Sequence, residues 1–383
     1  MKVLLDVSSV ALPLSGIGRY ALELAHHLPA QPGVDEVLYL RDGRVVATLP
    51  VPQNVEPAKS SRWRNYLKAL LPYRWLLRPY RKKKQRRLGA SLAAYRDYVL
   101  QSPNFSIPPV AGRSVVTIHD LSVFHFPQFH PPDRVRYLRD EITFSVHAAD
   151  AVVTDSEFVR EELLQLFQLP EAKVTAVPLG VSSLFKPRPT SQTGEVLARY
   201  GLRGANYILS VGTIEPRKNI DALLDAYMKL SDTLRKCHPL VIVGGSGWNN
   251  AKVMARLAQM HASRQLIYLS YVNESDLPHI YSGATVFCYP SFYEGFGLPV
   301  IEAMASGIPV VCSNASSLPE VCGGVASQFD PYNARAIAAA LQGALEDSAW
   351  RSEAAALGVD HVQRYRWDAT AKAMLTIYEG LPQ

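Results

Sequence analysis

The chain has 383 residues, 48% of them hydrophobic, and a formal net charge of +6. That size accommodates two domains of ordinary dimensions and gives no sign of a disordered chain. No apolar run is long enough to span a bilayer, and Asp6 interrupts Val3 to Val7, which reads as a first strand rather than a signal peptide and implies a cytoplasmic protein.

Lys2 to Val7 leads into a loop with Ser15-Gly16-Ile17-Gly18, after which Ala21, Leu24, Ala25 and Leu28 follow helical spacing. A lone G-x-G after a strand marks a tight turn as readily as a ligand loop. Arg62 to Arg87 then breaks the pattern with eleven Lys or Arg and no acid, leaving 29 basic against 34 acidic residues elsewhere. Trp63, Tyr66, Leu67, Leu70 and Leu71 form an apolar helical stripe that Pro72 ends. Trp75, Leu76 and Leu77 precede the run Arg81 to Arg87. Large apolar side chains beside dense positive charge suit a helix lying on an anionic membrane. Residues 61–88 are therefore read as a membrane-surface insert, in preference to a solvated basic hairpin or a nucleic-acid site.

Val115 to Ile118 is a strand ending in His119-Asp120; a single His there is more often structural than catalytic, and Asp120 orients either the ring or the loop. His125 and His130 receive no role. Ala151 to Thr154 is the next strand, with Thr154 or Ser156 capping the helix after it, and Lys173 to Val177 closes the first sheet. Lys186 to Gly194, KPRPTSQTG, has linker composition and marks a domain boundary. Residues 1–185 then form a first domain, 186–365 a second and 366–383 a terminal helix. The second half restarts with strands at Tyr207 to Val211, Leu240 to Val243 and Leu266 to Leu269. Alternating strands and helices in both halves indicate an α/β protein of two doubly wound domains.

Arg217 and Lys218 follow the first strand of the second half, where two cations can neutralise a diphosphate; an exposed basic turn is the plainer alternative. Gly244-Gly245-Ser246-Gly247 allows a close backbone approach or a tight turn. From Ala284 to Cys312 the sequence reads strand, Gly-rich loop, helix, strand, with Pro299 in the first helical turn and Gly307 at the end. Ser291 to Leu298 thus lies where ligands bind open α/β sheets, outside the carboxyl ends of the strands. Glu294 and Glu302 frame it as E-x7-E, and carboxylates accept well from sugar hydroxyl pairs. Ser313 to Glu320, SNASSLPE, reads as a structural turn and cap. Cys237, Cys288, Cys312 and Cys322 form no C-x-x-C pair and read as buried free thiols rather than disulfides or zinc ligands.

At YEGFGLPVIEAMASGIPVV the chain resembles the large retaining GT-B family with the E-x7-E motif, glycosyltransferase family 4, which includes bacterial mannosyltransferases and sucrose and glycogen synthases. The resemblance implies two Rossmann-like domains facing a central cleft, with the last helix, Trp367 to Tyr378, crossing back onto the first domain. It gives Glu294 the donor sugar, Gly295, Phe296, Gly297 and Leu298 the sugar and diphosphate, and Glu302 the ribose. It places Gly16 and Gly18 over the diphosphate, His119 at the sugar, and Lys218 on the phosphates, with Gly212 and Thr213 beside it. Many members carry Arg where this chain has Thr213, and Arg217 is the substitute at hand. Gly245 falls near the nucleotide, and Tyr271 and Val272 bracket the base.

No metal-binding motif occurs, so no metal and no cofactor beyond the nucleotide sugar are expected, and the leaving diphosphate falls to Arg217, Lys218, the loop amides and the helix dipole. The resemblance further implies retention by same-face attack. VGTIEPRKN and SFYEGFGLPVIEAMA look nearest to mannosyltransferases of surface polysaccharides. Those imply GDP-mannose or a GDP-deoxysugar such as rhamnose as donor and a lipid-linked glycan as acceptor at the inner face of the membrane. A soluble acceptor, a nucleotide-sugar 2-epimerase and a non-enzymatic membrane scaffold are the rival readings.

Overall fold

In the computed structural model, residues 1–12, 14–49, 88–108, 112–202 and 206–382 are described. The basic insert at 61–88 falls outside them except for Leu88. The first sheet contains β1 (Lys2–Asp6), β2 (Glu36–Arg41), β3 (Arg44–Val46), β4 (Val99–Ser102), β5 (Ser114–Ile118), β6 (Ala151–Thr154) and β7 (Val174–Ala176). Their order is β3-β2-β1-β4-β5-β6-β7, parallel except for the β2/β3 hairpin. The second contains β8 (Ile208–Val211), β9 (Leu240–Val243), β10 (Leu266–Leu269), β11 (Val286–Tyr289), β12 (Val310–Ser313) and β13 (Ser327–Phe329). Its order is β10-β9-β8-β11-β12-β13, all parallel.

Each sheet reverses its winding once, between β1 and β4 and between β8 and β11, which opens a crevice at the carboxyl ends of those strands. Helix Leu298–Ala305 bridges β11 and β12 and is buried from Val300 onward, so its apolar side chains face neighbours all round. Glu302 is the one charged residue it carries. Helix Trp367–Glu379 packs on helix Gly16–His27 of the first domain. Tyr378 donates to Gln101 Oε1 at 3.1 Å, and Thr370 donates to the Pro178 carbonyl at 2.7 Å. One apolar cluster continues from β1 through Trp367, Met374 and Tyr378 to Tyr281 and Phe287, tying the domains together on that side.

Two local expectations need correction. Thr190–Arg199, which includes half of the supposed linker, is a helix, because Leu197 buries itself in the shared core. The four cysteines are free as expected, but Cys237 is exposed while Cys288, Cys312 and Cys322 are buried.

Candidate functional site

The segment between β11 and helix Leu298–Ala305 is held from several directions. Asn219 donates through Nδ2 to the carbonyls of Pro290 at 3.1 Å and Pro331 at 2.7 Å. The Phe292 amide donates to the Arg217 carbonyl at 2.9 Å. Ser316 Oγ accepts from the Glu294 amide at 2.9 Å, and Ser317 Oγ donates to the carbonyls of Glu294 and Phe296, each at 3.0 Å. SNASSLPE is therefore more than a turn and cap, since two of its serines set the course of the E-x7-E loop. Gly297 enters the helix at φ +112°, a conformation side-chain-bearing residues rarely adopt. The N–H groups of Gly295, Phe296 and Gly297 meet no protein acceptor among the described residues, and they precede a helix N-terminus. Such a group of donors can receive an anion.

Glu294 lies at the centre of a buried charge cluster. Its Oε1 accepts from Lys218 Nζ at 2.6 Å and its Oε2 from Arg217 at 2.9 Å. Arg217 also donates to the Tyr293 carbonyl at 2.9 Å and through Nε and a terminal nitrogen to Glu215 Oε1 at 3.2 and 3.0 Å. Asp120, reaching in from the first domain, is 4.0 Å from the same guanidinium. Lys218 additionally donates to the Tyr289 hydroxyl at 2.8 Å. Burial opposes ionisation of Glu294, but Arg217 and Lys218 outweigh it and hold the carboxyl below its ordinary value. Burial also works against the Arg217 cation, and Glu294, Asp120 and Glu215 together more than compensate. Glu294 thus bridges the two cations, while Glu215 and Asp120 add their charge to Arg217 alone.

The first domain closes over this cluster. A methyl group on Gly295 would sit 1.7 Å from the His119 carbonyl oxygen, so only glycine permits the approach. Ser156 Oγ donates to the Gly295 carbonyl at 2.7 Å while capping its own helix at the Val159 amide. Glu320 accepts from the amides of Glu157 and Phe158, capping the same helix from the other domain at 3.0 and 3.1 Å. Gly295→Ala is expected to wedge the cleft open, lowering kcat by about a hundredfold, the scale of an ångström misplacement near the chemistry. Small-angle scattering checks it through a larger radius of gyration; an unchanged rate and radius refute it.

His119 Nδ1 lies 2.7 Å from Asp155 and Nε2 lies 2.9 Å from the Pro103 carbonyl. Asp155, rather than Asp120, orients the ring; Asp120 instead orders its own loop by accepting from the Ser122 amide at 2.9 Å and hydroxyl at 2.6 Å. Burial lowers the imidazole, but Asp155 and the carbonyl raise it overall, and burial raises the Asp155 carboxyl too, so the pair keeps its shared proton. A raised folded value means that this stabilisation is fully present below about pH 6.5, the free imidazole value, and is lost as pH rises through the folded value. Thermal melts from pH 6 to 8.5 should show that decline, and His119→Gln should flatten it.

Glu302 is 8% exposed and accepts from the Tyr281 hydroxyl at 3.0 Å. Burial raises its carboxyl, with Arg19 opposing. Arg19, on the helix that begins at Gly16 and Gly18, pairs across the cleft with Glu274. Ser15 caps that helix at the Gly18 amide. Gly212 and Thr213 pair alongside Gly244 and Gly245 through the Ile214 amide, which donates to the Gly245 carbonyl at 2.9 Å. Thr213 itself is exposed. Tyr271 is 63% exposed just beyond β10, and Val272 packs on the core.

Arg217, Lys218, Glu294, Gly295 and His119 therefore converge, whereas Thr213, Gly245 and Tyr271 flank them on the β8–β10 side. Asp155, Glu215, Tyr289, Ser316 and Ser317 are additions that the sequence reading missed. Among the described residues no three His, Cys, Asp or Glu side chains gather as metal ligands do, and no helix is long and apolar enough to cross a membrane.

Residues 198–358 match the family described as glycosyl transferases group 1, and residues 14–183 match glycosyltransferase family 4. O-antigen chain mannosyltransferase B of Escherichia coli is 37% identical over 381 residues, covering 100% of both chains. The serotype-specific mannosyltransferase WbdA of Escherichia coli is 31% identical over 294 residues, which are 75% of this chain and 35% of that longer protein. Among solved structures, sucrose-phosphate synthase from Thermosynechococcus elongatus superposes with a TM-score of 0.71 at 22% identity, covering 99% of this chain and 98% of that one. WaaG, a glycosyltransferase involved in lipopolysaccharide biosynthesis, gives 0.71 at 15% identity over 99% and 100%. Likeness at these identities speaks for the fold alone.

Proposed function

The chain belongs to the family 4 glycosyltransferases of GT-B fold, and we propose that it transfers mannose from a GDP-linked donor to a lipid-linked glycan in O-antigen synthesis. The observation that carries this reading is the meeting of Glu294, Arg217 and Lys218 beside unpaired loop amides, in a chain related along its whole length to an O-antigen mannosyltransferase. The donor diphosphate takes the place of Glu294 as the partner of Arg217 and Lys218. Glu294, released, accepts from hydroxyls of the mannose, and Glu302 from those of the ribose.

The acceptor hydroxyl attacks the anomeric carbon on the face the diphosphate leaves. The carbon–oxygen bond to the phosphate breaks as the new one forms, and the departing phosphate oxygen takes the proton. Arg217, Lys218 and the amides stabilise that anion; the scheme calls on no cofactor and no metal ion. The anomeric configuration is retained. A lipid-linked acceptor fits the basic, aromatic composition of 61–88, which would hold the protein on the inner face of the cytoplasmic membrane. Incubation with GDP-, UDP- and ADP-sugars and a polyprenyl-linked acceptor, followed by NMR of the product, tests the reading. An α-mannosidic linkage from GDP-mannose supports it; no transfer from any donor, or an inverted linkage, refutes the substrate or the mechanism respectively.

A further inference from the structure

A row of aromatic rings leaves the cleft beside the Glu294 loop. Phe126 packs near Tyr293 at 5.6 Å between ring centres and stacks on Phe129 at 5.4 Å. Phe129 in turn stacks on Phe292 at 5.5 Å, and Phe292 meets Tyr332 at 4.8 Å. The first two rings come from the loop after β5 and the last two from the loops after β11 and β13, so the row joins both domains. Phe126, Phe129 and Phe292 are only half-buried, and Tyr332 is 67% exposed. Beyond them Tyr332 opens onto a surface groove of about 790 Å³, rimmed by Asp330, Asn333 and Arg335.

A pyranose has an apolar C–H face and an equator of hydroxyls. An exposed aromatic ring flanked by a carboxylate, an amide and a guanidinium presents the complementary surface. Rigid rings bind such a face with little loss of side-chain freedom. We propose that the exposed Tyr332 ring and the groove beside it hold a sugar residue of the acceptor glycan as it runs away from the reacting hydroxyl, with Phe126, Phe129 and Phe292, stacked on one another, fixing the ring in place. This inference rests on the reading above that the acceptor is a glycan. It adds where the chain lies and which residues grip it. The row's contact with the catalytic loop supplies the continuity, because the Phe292 amide is bonded to the Arg217 carbonyl and Tyr293 adjoins Glu294.

The test uses the full chain, an α-mannotetraose and an α-mannose acceptor on one alkyl aglycone, and free mannotetraose as a binding probe. The wild-type protein is expected to favour the longer acceptor by about tenfold in kcat/KM, on the scale of a stacking contact or two. Tyr332→Ala brings that ratio close to one, and Tyr332→Phe keeps most of it. Saturation-transfer NMR without donor shows mannotetraose on the wild type and its loss in Tyr332→Ala. Equal ratios in wild type and Tyr332→Ala, or a tetrasaccharide signal that is absent or insensitive to the substitution, overturn the proposal and leave the rings as plain interdomain packing. Failure of the wild type to transfer to either acceptor while Tyr332-dependent binding persists instead overturns the proposed mannosyl transfer and leaves the glycan site standing.

Discussion

Glu294→Gln is expected to lower kcat by about 10²–10³-fold while leaving the fold nearly as stable as before. Under the proposed mechanism the rate falls because the carboxylate is the group released to the sugar, and loss of one charged or donating group aimed at the reacting centre typically has this size. Stability survives because Glu294 is one of three carboxylates around two cations. Neutralising it leaves Arg217 paired with Glu215 and near Asp120, while Lys218, whose ammonium burial already disfavours, keeps the Tyr289 hydroxyl and the new amide carbonyl as acceptors. Most buried ion pairs behave differently, since removing one partner strands the other. Donor titration separates the effects further: with the Glu294 carboxylate no longer competing for Arg217 and Lys218, the variant should bind GDP at least as tightly as wild type. A variant that unfolds, or that keeps its full rate, refutes this assignment.

Arg217→Ala should damage both properties. It leaves Glu215 and Asp120 without their cation and Glu294 with Lys218 alone, and an uncompensated buried carboxylate such as Glu215 costs about 3–5 kcal/mol. The rate is expected to fall by a factor of about 10³, because under the proposed mechanism the leaving diphosphate loses its guanidinium partner. Pairing the substitution with Glu215→Gln removes one of the stranded charges. The double variant should therefore regain much of the lost melting temperature and none of the rate. Recovery of both would mean that Arg217 serves only the fold. Failure to regain stability would mean that the charge imbalance is not the cause.

The parts legible in the sequence are those fixed locally. β11, β12 and the helix between them announced themselves by unbroken apolar runs and by Pro299, because both faces of each element are buried. The terminal helix was legible for the related reason that Trp367, Ala371, Met374 and Tyr378 repeat on one face. β4 was not, since Gln101 and Ser102 look like loop residues until Thr117, Tyr378 and nearby carbonyls satisfy them. Composition pointed to a linker at Thr190, and the burial of a single leucine overrode it.

The site divides along the same line. Arg217, Lys218, Glu294 and Glu302 stand at strand ends and helix starts, where position alone suggests chemistry. Asp155 and His119 are 36 residues apart, and nothing in either neighbourhood announces their pairing. Asp120 sits next to His119 in sequence yet turns to Ser122 and Arg217, because its β5 strand end faces the other domain. Glu215 is visible within VGTIEPRKN, but its grip on Arg217 depends on a turn that folds the two side chains together.

The structure of the protein with a GDP-sugar bound is the most direct check on the exchange of partners at Glu294. The diphosphate should lie on the amides of Gly295 to Gly297, within reach of Arg217 and Lys218, with the pentose at Glu302 and the Glu294 carboxylate turned to the hexose. A nucleotide bound elsewhere, or a Glu294 still bridging both cations with the donor in place, would disprove it.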